Sequence, residues 1–112
     1  MFQKHTANGY ITAIDGIEIK TLVHGDNTLM TEFILKKDTR LPLHSHPHEQ
    51  TGYLVKGRIR LFIGDDSYDV RPGDSWCIPG DVDHRAEIID DSVAIEIFSP
   101  VREDYLPENL NK

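Results

Sequence analysis

Turn chemistry recurs along this chain too often for a long helix to form. Gly9, Gly16, Gly25, Gly52, Gly57, Gly64, Gly73 and Gly80 break the 112-residue sequence at short intervals. Several stand in Asp-Gly, Gly-Asp or Pro-Gly pairs, which favour tight turns. Between them lie stretches rich in β-branched and aromatic residues, at 10–14, 17–23, 28–35, 52–55, 58–63, 67–70, 75–78, 85–89 and 93–98. Alternation is clear in two of them: Ile59, Leu61 and Ile63 oppose Arg58, Arg60 and Phe62, and Val93, Ile95 and Ile97 oppose Ala94, Glu96 and Phe98. A period of two, with turn signals about every 8–12 residues, predicts an all-β sandwich or small barrel. A chain of this length has room for one core, so residues 1–112 read as a single domain. Residues 1–25 supply N-terminal strands that are candidates for a dimer interface, and the tail, 102–112, reads as a turn or strap.

Charge and composition narrow the function. Twelve Lys and Arg stand against 19 Asp and Glu, a net charge of −7, and an acidic surface without a basic cluster argues against binding a phosphate backbone. No apolar run is long enough to span a bilayer. The first residues lack the apolar stretch of a secretory signal, and Cys77 is alone, so a reducing, cytoplasmic setting is expected. Cys77 reads as a small buried filler, and Trp76 and Tyr53 read as core residues, with lining of the barrel mouth as their alternative.

Three of the six histidines fall within residues 44–48. In an extended strand His44 and His46 share a face, with Cα atoms about 6.6 Å apart, close enough for both rings to reach one ion. Gln50 keeps that parity and offers a carbonyl oxygen; Glu49, one residue earlier, is the rival oxygen donor. His84 follows the turn at Pro79-Gly80, which can return it to the first cluster on a neighbouring strand. His44, His46, Gln50 and His84 therefore form a candidate site for one divalent transition metal, with nickel, zinc, iron, manganese and cobalt all compatible. His48 reads as a rim residue, because a further protein ligand would close the open position that catalysis needs.

The pattern His44-x-His46-x3-Gln50-x6-Gly57 resembles the first cupin motif, and Gly73-x5-Pro79-Gly80-x3-His84 resembles the second. The resemblance implies a jelly-roll β-barrel with a metal inside its mouth, commonly as a homodimer. Gln50 stands where that pattern usually has Glu, which leaves the ligand set uncharged and makes the ion a stronger Lewis acid and anion trap. A narrower resemblance, carried by 44–50 and 96–106, is to the small cupins of pectin and alginate breakdown, which linearise 4,5-unsaturated monouronates. It implies a small anionic sugar-derived substrate and active-site roles for Glu96, Phe98 and Arg102. Read without the family, Glu96 is a carboxylate on an apolar strand and needs a partner: the metal site, an arginine such as Arg58 or Arg60, or water. Arg102 reads equally as a carboxylate clamp or as a rim ion pair with Glu103 or Asp104. A mononuclear-metal dioxygenase and a non-catalytic sugar-binding module remain the alternatives.

Overall fold

The structure, a computed structural model, describes residues 1–110. Its strands are β1 (Ile11–Ile14), β2 (Ile17–His24), β3 (Leu29–Leu35), β4 (Arg40–His44), β5 (Glu49–Ile63), β6 (Asp66–Val70), β7 (Ser75–Ile78) and β8 (His84–Ser99). All pair antiparallel, in the order β1-β2-β3-β8-β5-β6, with β4 joined to β8 and β7 to β5. This is the all-β jelly roll that the sequence implies.

The two long strands carry the architecture. β5 and β8 pair from Glu49–Ser99 to Ile63–His84. One end of β8 also pairs with β3 and the other with β4; β5 likewise serves β7 and β6. Midway, the register slips between Leu54 and Ile59, and both strands bend there. Gly57, at φ 97°, occupies the bend. A Cβ on it would stand 2.1 Å from Ser92 Oγ and 2.5 Å from the Asp91 carbonyl, so only glycine fits the crossing. The stretches read as 52–55 and 58–63 are therefore one strand, as are 85–89 and 93–98, because a bulge bends a ladder without ending it.

Inward-facing side chains form the core, among them Ile19, Phe33, Leu54, Ala94, Ile59, Leu61, Ala86 and Ile88. Full burial of a Leu or Ile contributes about 2 kcal/mol each. Nearer the mouth the rows turn polar: Thr31, Glu96, Gly52 and Trp76 lie side by side on β3, β8, β5 and β7, next to the row of Leu29, Phe98, Gln50 and Ile78.

β1 and β2 complete this chain's own sheet through β3. The tail is a strap. After a 3-10 turn at Glu103–Tyr105 and a short helix, Pro107–Leu110, Tyr105 packs its ring against Phe33 and Phe98, and the Thr21 hydroxyl donates to the Tyr105 carbonyl. Residues 111–112 of the tail lie outside the described residues. Cys77 is exposed, not a buried filler: Trp76 and Ile78 take the inward parity of β7 and leave Cys77 on the outer face. Among the described residues no helix is long and apolar enough to cross a membrane.

Candidate metal centre

β4 ends at His44, and β8 begins at His84, its cross-strand neighbour. His46 lies in the turn between β4 and β5 rather than in an extended strand. It reaches the other two because that turn is pinned to the Pro79-Gly80 turn. The Asp81 N–H donates to the His46 carbonyl at 2.7 Å, and Gly80 packs so closely that a Cβ would stand 2.4 Å from the Pro47 carbonyl oxygen. The Pro-Gly element of the sequence is thus the contact that brings the two histidine segments together. One ligand atom from each of His44, His46 and His84 lies within 4.8 Å of the others. Gln50, the second residue of β5, is buried beside them, whereas Glu49 points outward and is exposed.

The protonation pattern suits a cation. Each ring's Nδ1 meets a backbone carbonyl two residues away: His44 with Pro42 at 2.8 Å, His46 with His48 at 3.1 Å and His84 with Val82 at 2.8 Å. A proton on each Nδ1 satisfies those carbonyls and leaves each Nε2 with a free lone pair. Burial holds the His84 imidazole down at a pKa of about 4, and burial first, with the Arg102 charge second, lowers that of His46. Both rings are therefore neutral at pH 7. Among the described residues, His84 Nε2 is buried with no hydrogen-bond partner. His46 Nε2 faces Gln50 Oε1 at 3.0 Å, two acceptors that a shared cation would reconcile. Three neutral imidazoles and an amide oxygen fit a divalent transition metal. His48 contributes its carbonyl to this arrangement, with its ring beside that of His46.

Glu96 forms the opposite wall. Its side chain is buried, at 6 % exposure, and accepts hydrogen bonds from Gln50 Nε2 on one oxygen and from Trp76 Nε1, at 3.0 Å, on the other. With Trp76 donating to one oxygen, the other accepts the Gln50 N–H, which leaves the amide with nitrogen toward Glu96 and oxygen toward the histidines. No arginine of β5 pairs with it: Arg58 is committed to Asp69 at 2.9 Å across the β5–β6 pair, on the other side of the bend. Burial raises the Glu96 pKa to about 8, against the opposing effects of the Gln50 and Trp76 hydrogen bonds and the Arg102 charge.

Comparison with known proteins accounts for this arrangement. Residues 31–99, more than half of the chain, match the family model described as a cupin domain. The chain belongs to the cupin family. Among solved structures this cupin is similar to KdgF from Halomonas sp., with a TM-score of 0.89 and 26% identity over 95% of this chain and 100% of that one. An RmlC-like cupin from Shewanella frigidimarina NCIMB 400 shares the fold, with a TM-score of 0.85 and 24% identity over 95% of this chain and 100% of that one. So does one from Desulfovibrio desulfuricans, at 0.70 and 17% over 88% and 99%. No curated protein sequence matches significantly.

The remaining candidates of this cupin also border the cavity. Phe98, 1% exposed, sets its ring edge-on to His46 at 5.6 Å. The Arg102 guanidinium lies 3.9 Å from the centre of the Tyr105 ring and 5.1 Å from that of Phe98, while Nε donates to Asp104 at 3.1 Å. Arg102 thus lines the cavity and is also ion-paired at the rim. The cavity encloses about 50 Å³ of water-accessible space, enough for only a few waters. Trp76 and Tyr105 line the cavity as well. The sequence favours the core for Trp76 and Tyr53 with the barrel mouth as the alternative; Trp76 takes the mouth, whereas Tyr53 is exposed on the outer parity of β5.

Proposed function

We propose that this cupin is a metal-dependent enzyme that opens the ring of 4,5-unsaturated monouronates. The observation carrying the proposal is the buried Glu96 carboxylate, linked through one glutamine side chain to the histidine cluster. The sequence resemblance to uronate-linearising cupins and the structural likeness to the Halomonas KdgF support the same reading.

A divalent ion held by His44, His46, His84 and Gln50 supplies Lewis-acid stabilisation of negative charge on substrate oxygens when bound. Glu96 takes the proton of the anomeric hydroxyl. The electrons of that O–H bond form the C1 carbonyl, the bond between C1 and the ring oxygen breaks, and the ring oxygen leaves as the enolate of C5. Glu96 then returns its proton to C4, giving the 5-keto acid with no net redox change. A carboxyl group with a pKa near neutrality suits both steps. Arg102 grips the substrate carboxylate with guanidinium N–H groups not used by Asp104, and Phe98 gives the reacting end an apolar wall that excludes water.

Homodimerisation through residues 1–25 belongs to the same reading, because Met1, Phe2 and Ile14 leave apolar side chains exposed there. A reducing, cytoplasmic setting agrees with the single exposed Cys77. The test is loss of the conjugated ultraviolet absorbance of an unsaturated monouronate by protein loaded in turn with nickel, zinc, iron, manganese or cobalt. Turnover without oxygen uptake is expected. Oxygen consumption with an aromatic or diketone substrate would point to a dioxygenase, and tight sugar-acid binding without turnover to a binding module.

A further inference from the structure

Trp76 and Glu96 sit on strands separated by a third, β5, whose residue in that row is Gly52. Two strand spacings amount to about 9.6 Å between backbones, and a side chain at position 52 would fill the space between them. The glycine leaves it open. A Cβ there would stand 2.2 Å from both Cε2 and Nε1 of the indole, so the ring lies directly over the Gly52 backbone. It ends with Nε1 3.0 Å from Glu96 Oε1.

We propose that Trp76 is a positioning residue for Glu96: its indole N–H, reaching across β5 through the gap at Gly52, fixes the carboxylate so that the other oxygen meets the Gln50 amide. An indole suits this task because it donates one hydrogen bond and neither accepts nor titrates. It therefore holds the carboxylate without competing for its proton. The Glu96 backbone is held separately, since its carbonyl accepts from the Thr31 hydroxyl at 3.0 Å. The side-chain torsions that aim the carboxylate are left for Trp76 and Gln50 to set. The kinetic consequence rests on the uronate reading above; the contact does not.

Trp76 is the chain's single tryptophan, so its emission reports on this contact in metal-free protein whatever the substrate. Glu96→Ala removes the acceptor and is expected to shift the emission, and Gly52→Ala displaces the ring and is expected to do the same. With unsaturated monouronate, Trp76→Phe keeps an aromatic ring without the donor. It is expected to lower kcat about tenfold or more, the weight of one hydrogen bond to a charged group, with KM and bound metal per chain unchanged. Loss of packing alone would instead lower the folded fraction at constant kcat per metal-loaded chain. Emission from Glu96→Ala that superimposes on wild type overturns the proposal, as does a Trp76→Phe kcat within twofold of wild type. If wild-type protein never turns over the uronate, the functional reading falls, and the emission comparison alone decides the positioning role. Should Gly52→Ala fail to fold, Trp76→Phe and Glu96→Ala decide it together.

Discussion

On the histidine side of the cavity, each ring is oriented by a backbone carbonyl two residues away in its own segment. On the facing side, the Glu96 carboxylate is held by side chains from β5 and β7, so its orientation depends on the register of three strands. In the first wall each ring is oriented locally, and the contact between the two turns is what brings the segments together. The second is a relay of side chains that one substitution can disconnect. The two walls meet at Gln50, whose amide oxygen belongs to one and whose nitrogen belongs to the other.

If the walls are independent in this way, Glu96→Gln should cut kcat by about 10²–10⁴, the usual contribution of a general acid–base group, with metal content unchanged. A parallel fall in bound metal, measured by elemental analysis, would mean that the carboxylate wall also maintains the ion. Conversely, His84→Ala should weaken metal affinity by about 100-fold or more, since loss of even an outer hydrogen-bonding partner costs about 10–100-fold. His48→Ala should leave affinity nearly intact, because its contribution is a carbonyl that every residue carries. Equal losses in the two variants would break the comparison.

Gln50 tests the junction. Gln50→Glu would set one carboxylate against another, so that one must take up a proton or the two must part. Exchanging the groups, in the double variant Gln50→Glu with Glu96→Gln, restores one donor facing one acceptor. The double variant should bind metal about tenfold more tightly than Gln50→Glu alone, as expected for directly coupled side chains. Strictly additive affinities would show that the two residues do not communicate.

The smallest effect is on stability. The folded pKa of Glu96, about 8, exceeds its ordinary value of 4.5, so the native state binds that proton more tightly than the unfolded chain. Its contribution to stability is fully present below pH 4.5 and is lost as pH rises toward 8. Gln has no such dependence. Metal-free Glu96→Gln should therefore melt close to wild type near pH 4.5 and above it by about 5 °C or more near pH 8. A constant gap across that range would mean that the folded-state pKa of Glu96 is not raised.

The same contrast explains what the sequence disclosed. The histidines were legible because spacing within one segment, together with the Pro79-Gly80 turn, determines where they converge. Glu96 was legible as an acid on the inward parity of an apolar strand. Its partner was not: Trp76 meets it only through a register set by two further strand pairings, and Gly52 resembles any other turn-prone glycine until those strands are aligned. The stretches 52–55 and 58–63, like 85–89 and 93–98, read as separate strands because Gly57 and the polar run Asp90-Asp91-Ser92 have the appearance of turns, while the structure bends a continuous ladder there. The inward faces of Ile59 and Leu61 followed from alternation alone. Cys77 was misjudged because its hydrophobicity says nothing about which face of β7 it occupies.

The continuous passage of β5 and β8 through both halves of the barrel also bears on how the molecule opens. In a sandwich whose sheets share no strand, one sheet can fray while the other persists. Here, releasing β6 from β5 or β4 from β8 strips only one edge of a strand whose other edge remains paired. Freeing the central amides of either long strand requires separating β5 from β8 themselves, which dissolves both halves at once. Amide hydrogen exchange should thus reveal one cooperative unit comprising β3, β5 and β8 with a common opening free energy, while β1, β6 and the tail exchange through smaller local openings.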